Sequence, residues 1–422
     1  MLTVAYLANQ FPSQVEPYVG DEIEELRRRG MVVISGSVRS PKAGAEMPDI
    51  VLQRAALPVL APAMWLLLTK RKRVLPLLQR IFSGRQPTAR RIKAVLHTLL
   101  GACYADLLRR RNVTHIHVHH GYFGSWIGMT AARLLGVGFS LTLHGSDLLQ
   151  SGWFLDLKLA LCDFCVTVSE YNRAYILKRF PEVDPQKIVV ARLGVDVPPS
   201  RPHSNPQTKP DALQLLAVGR LHEVKDHAFL LRALTSCRFP FFCRIAGEGP
   251  ERQKLEWLIK IWKLQEQVRL LGHVDRMNLP SLYEDADVVV LTSRSEGIPV
   301  VLMEAMARGK IVLAPAITGI PELVTAGETG FLYQPGSLED CVAHLNFIYS
   351  HMRGNPQSAP CAVAPSDESS GLLERMSCSA IAHIQQNFNR ATNLQKFADL
   401  LLERSAAAGG TRTHENLILQ QI

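Results

Sequence analysis

Between Asp49 and Asp106 the chain carries no acidic residue, yet that stretch holds Lys70, Arg71, Lys72, Arg73, Arg80, Arg85, Arg90, Arg91 and Lys93. The whole chain has a net charge of +9. Such a balance suits an anionic partner: nucleic acid, a lipid surface or an anionic small molecule. Also missing beside this run is an apolar stretch of membrane-spanning length. "ALPVLAPAMWLLL" has about thirteen residues and two prolines, where a span needs ~20. Two readings stay open: a basic amphipathic segment on a membrane surface, or a helix pair packed on its own domain with a solvated basic face.

Other absences narrow the function. The cysteines are scattered, and only Cys162 and Cys165 make a CxxC. With no second pair or histidine couple to complete a zinc site, they are expected to be buried thiols in a reducing cytoplasm. "MLTVAYLANQF" has no basic start and no small-residue cleavage pattern, so a cytoplasmic protein is expected. No GxGxxG follows this first strand-like run, which speaks against a dehydrogenase.

What is present is alternation. "LTVAYLA", "MVVISGSV", "THIHVHH", "FSLTLHG", "DFCVTVS" and "KIVVARLGV" read as strands. Between them "EPYVGDEIEELRRRG", closed by Gly30, "GSWIGMTAARLLG" and "EYNRAYILKRF" read as helices. That order predicts a parallel sheet covered on both faces. A proline- and serine-rich stretch at 196–212 reads as a linker. The alternation restarts with "LQLLAVGRL", "FFCRIAGEG", "VRLLGHV", "DVVVLTS" and "KIVLAPA". At 422 residues the expectation is an α/β protein with two doubly wound Rossmann-like domains facing a central cleft. The expected boundaries are 1–200, a linker at 201–212, 213–385, and a C-terminal helix at 386–408 packing back toward the first domain. Residues 354–370 read as an irregular insertion, and the final "GGTRTHENLILQQI" as a frayed end.

Ligands of such sheets bind beyond the carboxyl ends of the strands, so the residues there matter most. Gly219 and Arg220 end one strand, with Lys225 ahead of a helix; a glycine, a guanidinium fork and an ammonium suit a diphosphate. Gly247-Glu248-Gly249-Pro250 forms a tight turn, and Gly272-His273 offers backbone to a planar base. "SRSEGIPVVLMEAMARG" puts Glu296 on a strand-end loop and Glu304 about five residues into a helix, roughly 7.5 Å along its axis. Backbone N–H groups at Gly297 and Ile298 lie between them, with Pro299 in the first helical turn. One ligand with hydroxyls at both ends and a diphosphate between, such as a nucleotide sugar, could bridge the two acids.

In the first half His144, Gly145 and Asp147 follow a strand, where a histidine could orient a reacting sugar. His115, His117 and His119 alternate on one face of a strand, with His120 next. A metal site there is not expected, because the strand reads as buried and no carboxylate follows. Asp285-x-Asp287 has the spacing of a metal-binding pair but precedes a buried strand, where aspartate serves as a turn residue.

With these pieces in place, the second half resembles retaining glycosyltransferases of family 4, which have the two-domain GT-B fold. The matching segments are "AVGRLHEVKDHAFLLRA", "RIAGEGPER", "VRLLGHV" and "LYEDADVVVLTSRSEGIPVVLMEAMARGKIVLAPAITGIPELVTAGETGFLY". The resemblance implies a nucleotide-diphosphate sugar donor, with Arg220 and Lys225 on the diphosphate. It implies Glu296, Gly297 and Ile298 on the donor sugar, Glu304 on the ribose, and His144 facing the sugar near the reacting carbon, with Asp147 beside it. It implies retention of anomeric configuration, no cofactor and no metal. Where many relatives carry a glycine pair after the first strand, this chain has "LANQFPSQVEPYVGDEI", which resembles the subset that builds bacterial exopolysaccharides, including colanic-acid-type enzymes. That subset implies a glycan or polyprenyl-linked acceptor at the cytoplasmic face of the inner membrane, with 70–93 as the peripheral contact and no nucleic-acid partner. An epimerase of the same fold and a non-enzymatic nucleotide-sugar binder are the alternatives.

Overall fold

The computed structural model describes residues 2–408 apart from 14–15, 43, 84–86, 150–151, 199–210 and 354–370. The expected insertion, most of the expected linker and the final segment fall outside the described residues. The chain folds as two units, one of residues 1–192 with 393–422 and one of residues 193–392.

The first unit is built on a seven-stranded sheet. Its strands are β1 (Thr3–Gln10), β2 (Val32–Arg39), β3 (Ile50–Val51), β4 (His115–His119), β5 (Gly138–Leu143), β6 (Phe164–Thr167) and β7 (Ile188–Val190). They pair in parallel in the order β3-β2-β1-β4-β5-β6-β7. β1 has an almost uninterrupted apolar run, the pattern of a strand buried on both faces. The helix Tyr18–Arg28 buries Val19, Ile23 and Leu26 at helical spacing, and Gly30 leaves it at φ +80°. The chain runs outward from β1 through β3 and returns on the other side of β1 with β4. That reversal makes a switch point at the carboxyl ends of β1 and β4, where such sheets bind ligands.

The acid-free stretch forms more than the expected pair of helices: Leu52–Ala55, Leu60–Thr69, Arg71–Ser83 and Thr88–Leu108. Ala63, Val74, Leu77, Ile81 and Ala94 face the core, while Trp65, Leu68, Phe82 and Ile92 are exposed. Among the described residues no helix is long and apolar enough to cross a membrane. The helix Arg390–Ala408 sets Phe397, Ala398 and Leu401 into a core with Val4, Tyr6 and Phe164. Truncating one such buried aromatic costs about 3–5 kcal/mol.

The second unit has a six-stranded parallel sheet. Its strands are β8 (Leu213–Val218), β9 (Phe241–Ala246), β10 (Val268–Gly272), β11 (Val288–Val290), β12 (Ile311–Pro315) and β13 (Phe331–Tyr333). The order β10-β9-β8-β11-β12-β13 repeats the reversal, so this switch point lies between β8 and β11. The unit opens at Leu193, ahead of the linker that composition suggests. Val195 is buried and bridges Asn389, and Arg390 pairs with Asp196, so this proline-flanked stretch is tied into the fold.

Candidate active site

In the second unit the loops beyond β8 and β11 are stapled together. The Thr292 hydroxyl donates to the carbonyls of Lys225 and Asp226, each at 3.1 Å. Arg294 Nε reaches the Asp226 carboxylate at 2.7 Å, and its backbone N–H donates to Val224 O at 2.8 Å. Asp226 also caps the helix His227–Thr235. This frame brings the Lys225 ammonium onto the Glu296 carboxylate, with side chains only 19% and 12% exposed. The sequence reading assigns these two residues to different parts of a ligand; the fold joins them as an ion pair.

Arg220, next after Gly219 at the end of β8, is exposed and forms no ion pair among the described residues. Gly219 lies against the Lys225 stem. Gly247 has φ +154°, and a Cβ there would sit 1.8 Å from Gly219 O, so only glycine lets the β8 and β9 loops meet. Gly319 is similarly constrained, its Cβ position falling 2.1 Å from Gly297 O. The Gly297 and Ile298 N–H groups donate to no protein acceptor among the described residues. Pro299 caps the helix Val300–Met306 from an extended conformation, one position earlier than the helical turn expected for it. Glu304 lies in that helix and accepts from the Tyr283 hydroxyl at 2.8 Å. Arg308 lies 5.3 Å over the Tyr283 ring. Tyr283 lies in a segment that resembles the family, but its spacing in the sequence does not show that it meets Glu304. Gly272 O accepts from Gly247 N at 2.8 Å, and His273 is exposed, 3.5 Å from Asp275.

Of the carboxylates set aside as turn residues, Asp287 accepts from Gln214 N at 3.0 Å and Arg353 at 2.8 Å, while Asp285 pairs with Arg244. Both have structural partners.

In the first unit the alternation of β4 brings His115, His117 and His119 onto one fully buried face. β5 runs beside it in register, His117 opposite Ser140 and His119 opposite Thr142. The histidines therefore meet Ser140, Thr142 and His144. His117 Nδ1 and Nε2 lie 2.7 Å and 3.0 Å from the Ser140 and Thr142 hydroxyls. His119 Nδ1 lies 3.0 Å from His144 Nε2, and His119 Nε2 lies 3.0 Å from Glu22 Oε2. The Tyr6 hydroxyl donates to that same carboxylate oxygen. A carboxylate only accepts, so the neutral form of His119 donates from Nε2 and accepts at Nδ1. His144 then donates from Nε2, leaving Nδ1 as an acceptor, and that atom is buried without a partner among the described residues.

In the sequence no carboxylate closely follows the histidine strand. The helix Tyr18–Arg28 supplies one, and Glu22, His117 and His119 stand close enough to hold a metal, their ligand atoms within 4.8 Å of one another. The hydrogen bonds just described already occupy those atoms.

His120 has φ +70° and lies between two acids, 2.9 Å from Glu16 and 3.5 Å from Asp147. Burial pulls its pKa down, but the two carboxylates outweigh it and raise the value to about 10. Asp147 accepts from the backbone N–H groups of Gly121 at 2.9 Å, His144 at 3.1 Å and Gly145 at 2.8 Å. Burial pushes its pKa up, yet these donors and His120 hold it well below the usual range. His144 is driven the other way, first by burial and then by the His120 charge, so it stays neutral. Cys162 and Cys165 are buried, and burial pushes the Cys162 thiol up to about 12.

The comparisons with known proteins cover both halves. A model described as "Glycosyltransferase Family 4" matches residues 15–198, and one described as "Glycosyl transferases group 1" matches 201–354. The putative colanic acid biosynthesis glycosyltransferase WcaL of Salmonella typhimurium is 35% identical over 173 residues, covering 38% of this chain and 42% of that protein. The protein of the same name from Escherichia coli is 38% identical over 161 residues, 35% of this chain and 38% of that one. The matches thus span less than half the length of either relative. Among solved structures, Anabaena HepE in complex with UDP superposes with a TM-score of 0.65 at 18% identity, over 96% of this chain and 100% of that one. Sucrose-phosphate synthase from Thermosynechococcus elongatus gives 0.73 at 16% identity over the same shares. With family models along both halves and a switch-point parallel sheet in each unit, this chain belongs to glycosyltransferase family 4 and has the two Rossmann-like domains of the GT-B fold.

Proposed function

We propose that the protein transfers a sugar from a nucleotide-diphosphate sugar to a glycan or lipid-linked oligosaccharide in bacterial exopolysaccharide or cell-surface polysaccharide synthesis. The observation that carries this reading is the Lys225–Glu296 ion pair at the β8/β11 switch point, with exposed Arg220 next after Gly219, which lies against the Lys225 stem. Arg220 and Lys225 stabilise the departing nucleoside diphosphate, usually the largest contribution to such a barrier. Glu296, already oriented by Lys225, holds donor-sugar hydroxyls with the Gly297 and Ile298 N–H groups. Glu304, fixed by Tyr283, takes the ribose hydroxyls. Gly219, Gly272 and His273 border the nucleotide.

His144, kept neutral by burial and held by Asp147 through its backbone, is the proposed catalytic group of the first unit. Cationic side chains do the work a metal would do, and attack from the leaving-group face retains the anomeric configuration. Exposed Trp65, Leu68, Lys70, Arg71, Lys72 and Phe82 meet the membrane. Two findings support the donor and acceptor classes: the two WcaL relatives carry a colanic acid biosynthesis name, and HepE structures hold UDP or UDP-glucose.

A melting screen with UDP-, GDP- and ADP-sugars, followed by assay of released nucleoside diphosphate, tests this. A ligand at a hundred times its Kd adds ~2.7 kcal/mol of stability. If no nucleotide sugar raises the melting temperature and none is cleaved with acceptor lipid extract present, the reading is wrong. If a nucleotide sugar is converted to its epimer without acceptor, the protein is an epimerase.

A further inference from the structure

The first unit contains a cavity of about 510 Å³ with no role in the chemistry above. It lies at the carboxyl ends of three strands: Arg39 closes β2, Tyr122 and Phe123 follow β4, and Trp153 and Lys158 lie beyond β5. Its walls are largely aromatic. Among the described residues the charged groups lining it are Arg39, Lys93 and Lys158, and no carboxylate lines it. His97 stacks on Phe123 at 5.1 Å and stays neutral, lowered to about 4 by burial and then by the two lysines.

Lys158 is the distinctive group, with 1% of its surface exposed. Its Nζ donates to Gly121 O at 2.7 Å and Tyr122 O at 3.0 Å. An ammonium has three donors, and Lys158 forms no ion pair among the described residues. The nearby acids are engaged elsewhere: Asp156 with Arg80 at 2.6 Å, and Asp147 with backbone N–H groups and His120. A buried ammonium without a direct counter-charge is costly, and burial lowers Lys158 to about 7, so an arriving anion favours its charged form. The outer cations sit over the rings, Arg39 5.6 Å from the Phe123 centroid and Lys93 5.5 Å from that of Trp153. The cavity also adjoins the His144 loop, since the Tyr122 hydroxyl lies 2.8 Å from Ser146 Oγ.

We infer that this cavity binds the acceptor by a sugar ring that carries a negative charge, a carboxylate or a phosphate. The C–H face of the ring packs on the electron-rich aromatic walls, and the anion meets Lys158, Lys93 and Arg39. A neutral sugar gains only the first contact and a bare anion only the second. That the ligand is the acceptor rests on the glycosyltransferase reading; that it is an anionic sugar does not.

Tryptophan fluorescence titrations of the full chain with methyl glucuronide, methyl glucoside, glucose 1-phosphate and inorganic phosphate test this. The glucuronide or the sugar phosphate binds about tenfold tighter than the glucoside, as a charged hydrogen bond predicts, and tighter than phosphate. Comparing the glucuronide with the sugar phosphate separates the carboxylate from the phosphate source. Arg39→Gln and Lys93→Gln, both at exposed positions, reduce the preference for the charged sugar and leave glucoside binding unchanged. Lys158→Met, with its fold checked by melting, abolishes that preference. Equal binding of charged and neutral sugars, phosphate binding as tight as the charged sugars, or an unaltered preference in the Arg39 and Lys93 variants overturns the inference. No turnover is read, so a protein that releases no nucleoside diphosphate yet prefers charged sugars loses the transferase reading and keeps this one.

Discussion

His119 Nδ1 lies 3.0 Å from His144 Nε2, and Glu22 decides which of the two carries the proton between them. The carboxylate takes the His119 Nε2 proton, His119 then accepts at Nδ1, and His144 is left with a bare Nδ1. A nitrogen-15 NMR spectrum of labelled protein should show both residues as Nε2-protonated tautomers. Glu22→Gln can offer an N–H in place of the acceptor oxygen, which reverses the order. The expected result is a His144 signal of the opposite tautomer and a loss of kcat of about tenfold or more, with KM for the donor little changed. A loss of kcat with both tautomers unchanged contradicts the relay.

Arg220 and Lys225 have the same proposed task and different structural costs. Removing either charge should lower kcat/KM by about a hundredfold or more. Lys225→Ala also strands the half-buried Glu296, which costs about 1–3 kcal/mol. Arg220 is exposed and forms no ion pair among the described residues, so Arg220→Ala should stay within about 0.5 kcal/mol of wild-type stability. Urea denaturation beside kinetics checks both halves. Equal destabilisation by the two substitutions would mean that the ion pair does not hold Glu296 in solution.

How much of this was legible depended on chain separation. The period-2 spacing of His115, His117 and His119 put them on one strand face, and the strand-end pattern placed Gly219, Arg220, Glu296 and His144 beyond the carboxyl ends of their strands. What they touch was not legible. Glu22 reaches His119 across 97 residues and Lys225 reaches Glu296 across 71, and only the strand order decides such meetings. β3 and β13 have two and three residues, too few for a period to register. Tyr283 and Lys158 look like ordinary helical residues until the packing shows what their polar ends meet.

The Tyr283 hydroxyl holds one oxygen of Glu304. If Glu304 binds ribose, Tyr283→Phe frees that oxygen to rotate and should raise the donor KM by about two- to tenfold with little change in kcat, the worth of one neutral hydrogen bond. Glu304→Ala removes the acceptor itself and should raise KM further. Isothermal titration with the free nucleoside diphosphate gives the same ranking without turnover. An unchanged affinity in both variants places the ribose elsewhere.

His120 should make the first unit sensitive to alkaline pH. Its folded pKa is raised from the usual 6.5 to about 10, so the fold favours the charged form. The stabilisation is complete below about pH 6.5 and is lost as pH climbs toward 10, on the order of a few kcal/mol in all. His120→Gln lacks it throughout. Wild type and variant should therefore differ most near pH 6 and converge near pH 10 in urea midpoint. Asp147 is shifted downward, so its own loss occurs only in acid and does not enter this window. A difference that grows with pH has the wrong sign for a paired imidazolium.

The acid-free helices make the most direct prediction about location. Trp65, Leu68 and Phe82 are more than 60% exposed, and Lys70, Arg71 and Lys72 are exposed on adjoining turns. A helix packed only on its own domain gains nothing from apolar side chains left in water, whereas a bilayer surface takes up both kinds. Each basic residue near an anionic bilayer contributes about 1 kcal/mol, and each buried large apolar side chain about 1.5–3 kcal/mol. Neutralising Lys70, Arg71 and Lys72 to glutamine should weaken binding to phosphatidylserine vesicles by about a hundredfold at low salt, and less as screening rises. Trp65→Ser with Leu68→Ser should weaken it by a similar factor that salt does not alter. Neither set touches the core, so both variants should melt within a few degrees of wild type. Vesicle sedimentation at two salt concentrations separates the contributions, and equal binding by all three proteins would return these helices to a role within their own domain.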